Sequence, residues 1–325
     1  MEPSTTRRRA LQIGGTALAA GIAGCLGGES PEGTLNSEGL DRINETTLPT
    51  RRKYRTQGGS FPKYRQYTAD DADTVLILLH TAGFDSRVVQ PLAEAIAEAG
   101  AAHVFTPDLR GHGPDPERRG DIDYIGQYKD DLRHLIENAE LLFPDAKIVV
   151  GGHGAGGGIA VKFAAPPSGR LVDGYLLLAP FLGLDADTTR QGLGGWASFY
   201  MDRIVMLRVL TGFGFETYSD MTTVEFDLPE ADWDGTGTPE HSYRLMASYM
   251  ASEQSVETMV DRPTLTVAGT ADETAHADAY EPLFADHPVA DVELLDGVTH
   301  LETVLTEAAV DPIVEWLKGP VKRGQ

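Results

Sequence analysis

Fourteen residues, Lys147 to Ala160, constrain this chain more than any others. They read Lys-Ile-Val-Val-Gly-Gly-His-Gly-Ala-Gly-Gly-Gly-Ile-Ala. The β-branched run Ile148-Val149-Val150 suits a buried strand, the glycines permit a very tight turn, and the residues from Ile159 to Ala165 suit a helix. A strand that turns this sharply into a helix predicts an α/β architecture with a parallel sheet. Other segments agree. Val75-Leu76-Ile77-Leu78-Leu79 is apolar on both faces, as a parallel strand covered on each side must be. Further strands are predicted over Ala102–Thr106, Val172–Pro180, Pro263–Gly269 and Val292–Leu295, with an earlier edge strand at Tyr64–Thr68. Helices are predicted from about Val88 to Ala99, from Ile125 to Leu142 and from Leu301 to Leu317, where apolar residues recur at helical spacing.

Gly152-His153-Gly154-Ala155-Gly156-Gly157 resembles the Gly-His-Ser-x-Gly-Gly nucleophile elbow of the α/β-hydrolase superfamily, nearest its serine aminopeptidase and lysophospholipase-like branch. The resemblance spans roughly residues 64 to 318. It implies an α/β-hydrolase fold, a mostly parallel central sheet with helices on both faces and a helical cap insertion. It also implies an acyl hydrolase of small or lipid-like substrates that needs no cofactor and no metal. His80-Thr81-Ala82-Gly83 is similar to the family's His-Gly-x-Gly oxyanion segment, with Thr81 in place of the first glycine. By position, the N–H groups of Ala82 and Ala155 would be the oxyanion donors. Asp108-Leu109-Arg110-Gly111-His112-Gly113 is a further hallmark and mostly structural, with an ion pair expected between Asp108 and Arg110. A metal site from Asp108 and His112 lacks a third ligand nearby. Gly269-Thr270-Ala271-Asp272-Glu273 matches the loop bearing the catalytic acid, and Gly297-Val298-Thr299-His300-Leu301-Glu302 the loop bearing the base.

The departure falls at the apex, where Gly154 stands in the place of the serine. Without a hydroxyl there, no acyl-enzyme forms through residue 154. Asp272 and His300 are expected to converge above it all the same. Three readings stay open. Activity has been lost and a binding pocket kept; His300 activates water, or a hydroxyl such as Thr81 or Ser86 substitutes; or Gly154 is a recent single-base change or an artefact. The first of these makes the protein a non-catalytic surface lipoprotein that binds a small ligand or partner.

The chain falls into unequal parts. Residues 1–24 hold Arg7-Arg8-Arg9, an apolar stretch and Ile22-Ala23-Gly24 before Cys25, which resembles a twin-arginine signal ending in a lipobox. Cys25, the one cysteine, would carry the lipid and anchor the protein to the outer face of the membrane, and a lone cysteine excludes internal disulfides. Residues 25–60 are poor in large apolar side chains and read as a flexible tether, and 61–325 as the hydrolase domain. Within it, strand–helix alternation stops at about 181–261, where aromatics and methionines gather in the cap and either fill its core or line a substrate pocket. The formal charge of −22 is spread along the chain, and only seven of the 27 basic residues are lysines. Such a surface repels nucleic acid and fits a halophile's protein.

Overall fold

The structure, a computed structural model, describes residues 35–45, 48–228, 235–259 and 261–319. The predicted signal, Cys25 and the first part of the predicted tether lie outside the described residues. The tether reading fails from residue 35 onward. Leu35, Leu40, Ile43 and Tyr54 are buried in the main core, and helix α1 (Asp41–Glu45) and strand β1 (Arg52–Lys53) lie in this stretch. A few well-spaced apolar residues suffice here because the domain supplies the surface they bury against.

Strands β2 (Lys63–Tyr67) and β3 (Thr74–Leu79) precede helix α2 (Gln90–Glu98), β4 (His103–Pro107) and helix α3 (Gln127–Leu142). Then come β5 (Lys147–His153), helix α4 (Ala155–Ala164) and β6 (Gly174–Leu178). The cap region holds β7 (Ala197–Phe199), α5 (Met201–Gly212), β8 (Thr222–Phe226), β9 (Glu240–Ser242), α6 (Tyr243–Tyr249) and α7 (Glu253–Val256). The chain closes with β10 (Thr264–Gly269), α8 (Tyr280–Phe284), β11 (Ala290–Leu295), α9 (Glu302–Leu305) and α10 (Val310–Lys318).

Among the described residues the main sheet has eight strands in the order β1-β2-β4-β3-β5-β6-β10-β11. From β4 to β11 all neighbours are parallel, and β1 and β2 add an antiparallel edge. Every residue of β3, β4, β6 and β10 is buried, which explains their unbroken apolar character. β11, at the edge, instead alternates exposed and half-buried positions from Asp291 to Leu294. The predicted mostly parallel sheet flanked by helices is therefore what the chain builds. The cap differs from expectation, because β7, β8 and β9 form a three-stranded antiparallel sheet beside its helices. The final predicted helix is also split, with Thr306 accepting from Ala308 between α9 and α10.

The glycines after β5 let α4 press against its surroundings. A Cβ on Gly156 would stand 2.5 Å from the Leu79 carbonyl, and one on Gly158 2.4 Å from that of Tyr249 in the cap. Real side chains do not approach so closely, so only glycine permits the helix to sit between sheet and cap.

Candidate active site

β5 ends at His153, and α4 begins at Ala155. Gly154 makes the turn between them at φ 52°, ψ −113°, a conformation that costs a residue with a side chain on the order of 1–3 kcal/mol. Its N–H donates to the Leu178 carbonyl at 2.9 Å, and its own carbonyl accepts from Phe181 at 2.9 Å and Gly158 at 3.1 Å. The turn is thus held on three sides.

Asp272 follows β10 and His300 follows β11, so two neighbouring parallel strands deliver them to the same end of the sheet. His300 Nδ1 donates to Asp272 Oδ2 at 2.8 Å. The other carboxylate oxygen accepts from Thr274 N–H at 2.7 Å, Thr274 Oγ1 at 2.8 Å and Ala275 N–H at 2.9 Å. Because Nδ1 carries the proton, Nε2 presents a lone pair. It lies 3.2 Å from the point where a Cβ on Gly154 would stand. The structure therefore brings all three predicted positions together.

Burial disfavours the charged form of both groups, yet their partnership wins. Burial alone would lift the Asp272 carboxyl, but His300 and the N–H donors hold it below its ordinary value. Burial alone would lower His300, but the adjacent Asp272 raises it. His153 packs its ring on His300 at 4.2 Å between centroids, and its Nε2 donates to the His300 carbonyl at 3.1 Å. Burial, followed by the neighbouring His300, drives His153 well below the usual histidine range, so the stack does not place two charges together.

The loop after β3 closes the opposite wall. His80 is buried; its Nε2 accepts from Leu109 N–H at 3.0 Å, so Nδ1 donates to the Thr81 carbonyl at 2.8 Å. That locks Thr81, whose Oγ1 stands 2.2 Å from the virtual Cβ of Gly154 and accepts from Ala155 N–H at 3.4 Å. Ala82 and Ala155 both line the resulting pocket, as do Pro180, Phe181, Leu193, Trp196, Phe199 and Phe226. Its walls are mostly apolar, with hydroxyls from Thr81, Thr188, Thr189, Thr274 and Tyr249.

Several expectations need correction. Ser86 is fully buried and committed, donating to Asp108 Oδ1 at 2.6 Å and accepting from Arg65 at 2.7 Å. It supports the loop and is not available to attack. Asp108 and Arg110 do not pair with each other. Asp108 faces Arg51 and Arg65, at 3.4 and 3.7 Å, while Arg110 forks onto Asp131 with two contacts of 2.8 Å. Their side chains leave the loop toward different layers, which residue spacing does not reveal. His112 contacts the Arg110 carbonyl and, through Nε2, His241 at 3.1 Å. Of the cap's aromatics and methionines, Trp196, Phe199 and Tyr249 reach the pocket and Tyr243 and Met246 are buried, but Met201, Met206, Phe213, Phe215 and Tyr218 are exposed. Trp233 lies outside the described residues. The motif reading gave Glu273 no role and stopped short of Thr274, two residues beyond Asp272. Glu273 accepts from the His300 N–H at 3.0 Å and from Asn36 N–H at 2.6 Å.

Residues 70–303 match the family described as serine aminopeptidase, S33. The chain belongs to that family. Its S33 region is similar to a curated relative, phospholipase YtpA of Bacillus subtilis (strain 168), at 27% identity over 172 residues. That match spans 51% of this chain and 61% of the relative, which is less than two thirds of its length. Among solved structures, a soluble variant of monoglyceride lipase from Saccharomyces cerevisiae, in complex with a substrate analog, superposes with a TM-score of 0.65 at 17% identity, covering 88% of this chain and 98% of that one. The monoacylglycerol lipase of Paleococcus ferrophilus gives 0.55 at 20% identity, with 79% and 98% covered. A thermostable carboxyl esterase from Bacillus coagulans, in complex with glycerol, gives 0.60 at 17% identity, with 85% and 100% covered. At these identities the structural likeness carries the S33 member's fold alone.

Proposed function

We propose that this S33 member is an acyl hydrolase of lipid-like esters, working through His300 and Asp272 at an elbow whose serine is replaced by Gly154. One observation carries the reading: His300 Nε2 sits 3.2 Å from where the first side-chain atom of residue 154 would stand, oriented by a buried carboxylate. In this reading His300 is the general base, and Asp272 holds its tautomer and stabilises the imidazolium. The Ala82 and Ala155 N–H groups take the oxyanion. The apolar pocket under the cap and the lipase and phospholipase relatives support a lipid-like acyl chain over a peptide. Removing the serine of such a triad, with nothing in its place, costs roughly 10⁶-fold in turnover and leaves about 10³–10⁴ over water. Activity is therefore impaired relative to serine-bearing members. The test is ester turnover on a monoacylglycerol and a short p-nitrophenyl ester at high salt. We expect slow hydrolysis that vanishes in His300→Ala; equal rates in both proteins would refute the role of His300.

The bare apex favours a second reading, a non-catalytic surface lipoprotein that binds a lipid-like ligand under the cap. It predicts affinity for a fatty acyl ligand that His300→Ala leaves unchanged, with no turnover. In either reading we propose twin-arginine export and lipidation at Cys25, from the motif around Arg7-Arg8-Arg9 and Ile22-Ala23-Gly24. An intact mass of the membrane-fraction protein without an added lipid would discard that assignment. The acidic surface we assign to a high-salt habitat.

A further inference from the structure

The Thr81 side chain occupies the space that Gly154 leaves empty. Its Oγ1 is 2.2 Å, and its Cβ 3.1 Å, from the virtual Cβ of residue 154, and His300 Nε2 is 3.2 Å from that same point. The two polar atoms are therefore separated by no more than the sum of their distances, 5.4 Å. A serine hydroxyl at residue 154 would itself lie one bond beyond that point, so Thr81 Oγ1, 2.2 Å from it, stands in the neighbourhood where a serine nucleophile belongs. The hydrogen bond the structure gives this oxygen is one it accepts, from Ala155 N–H at 3.4 Å. Accepting there leaves its own proton available to a base, and the His300 imidazole lies within that 5.4 Å bound. Of the other pocket hydroxyls, Thr188 Oγ1 has no hydrogen-bond partner among the described residues, and nothing places His300 beside it, whereas two more are committed. Thr274 donates to Asp272, and Tyr249 bonds His241 Nδ1 at 3.2 Å. His80 and the Thr81 carbonyl fix the backbone from which this side chain projects.

We infer that Thr81 is the nucleophile of this site, displaced from the elbow to the oxyanion loop. The inference rests on the hydrolase reading above. In the first step Thr81 Oγ1 bonds to the ester carbonyl carbon while its proton passes to His300 Nε2, and the carbonyl π pair moves onto the oxygen facing the Ala82 and Ala155 N–H groups. Collapse of that intermediate breaks the bond to the alcohol, which leaves with the proton from His300. The acyl group now esterifies Thr81. Water, giving its proton to His300, attacks the acyl carbon; the acid departs and Thr81 recovers its proton. Threonine serves as a nucleophile elsewhere when a base adjoins it. Contacts of this kind are often long in a free enzyme and tighten when substrate binds, and the Thr81–His300 contact is formed in that way.

The test is direct labelling of the unaltered protein with a fluorophosphonate, with the adduct located by fragmentation of the peptide that spans Thr68, Thr74, Thr81 and Ser86. We expect the phosphonyl group on Thr81. Thr81→Val should abolish the adduct and lower ester turnover at least 100-fold, while Thr81→Ser, a less hindered alcohol, should label and turn over at least as fast as threonine. An adduct on Ser86 or any other residue overturns the inference. Turnover that needs His300 but persists in Thr81→Val without an adduct also overturns it, while leaving the hydrolase reading intact with water as nucleophile. Neither turnover nor labelling in the unaltered protein removes both. Because the adduct is sought on the native chain, the result does not depend on whether the valine variant folds.

Discussion

Gly154 and Thr81 form a pair, and neither is understood without the other. A serine introduced at 154 would meet the Thr81 hydroxyl at 2.2 Å from its Cβ, besides adopting φ 52°. Gly154→Ser alone should therefore destabilise the protein by about 1–3 kcal/mol and gain little activity. Gly154→Ser combined with Thr81→Gly clears the space and restores the family's pattern at both positions. The double variant should exceed Gly154→Ser in p-nitrophenyl ester turnover by at least 100-fold; equal rates for the two would show that Thr81 does not obstruct the apex. The departure at each position was legible in the sequence as a mismatch to a motif. That the two mismatches touch was not, since 73 residues of chain separate them and only the β3–β5 pairing brings them together. The same limit explains Asp108 and Arg110, neighbours in sequence whose partners, Arg65 and Asp131, lie in other layers.

Helix α4 joins the turn to the cap. Lys162, on its outer face, is mostly buried and donates to the carbonyls of Ala247 at 2.5 Å and Met250 at 3.2 Å, at the C-terminal end of α6. Burial pushes its ammonium down to about 8, yet a cation at a helix C-terminus meets favourable dipoles and otherwise unpaired carbonyls. Lys162→Met keeps the apolar stem and removes the donor. We expect a loss of about 1–3 kcal/mol in urea unfolding, together with a raised KM for a monoacylglycerol as the cap loosens. Unchanged KM would separate the latch from substrate binding. The parallel strands were readable because their two-sided burial leaves unbroken apolar runs. The small β7–β8–β9 sheet was not, because three- and five-residue strands with bulged pairing leave almost no periodic signal.

Taken whole, the domain hides several uncharged imidazoles. Burial holds His112 and His153 well below the usual range and pushes His241 down to about 3. His241 accepts from Tyr249, donates to His112, and His112 donates to the Arg110 carbonyl, one continuous set of bonds between cap and sheet. A histidine whose pKa is depressed by folding binds its proton more readily when unfolded, so stability falls as pH drops below about 6.5. His300 is raised instead, so its contribution is fully present there and is lost only as pH rises above 6.5 through its folded value. Between pH 6.5 and 5 the slope should thus be set by the depressed histidines, at up to about 1.4 kcal/mol per pH unit each. Urea midpoints measured across that interval at constant KCl should fall steadily; a flat profile would mean these imidazoles are not neutral in the fold. Composition made the acidic balance plain, but nine scattered histidines gave no sign that His112 and His241 would pack together in the interior.

The segment before the first long strand has a consequence for where the domain can go. Leu35 is already seated in the core, and the next residue, Asn36, clasps the same Glu273 that steadies the backbone of His300. Ten residues separate that root from Cys25, and fully stretched they reach no more than about 35 Å. An acyl group on Cys25 would therefore act as a short leash. With the proposed lipid in place, the domain would graze within roughly its own diameter of the bilayer, fastened beside the loop that carries His300, and an ester substrate of the proposed kind would be met as it leaves the leaflet rather than after it disperses.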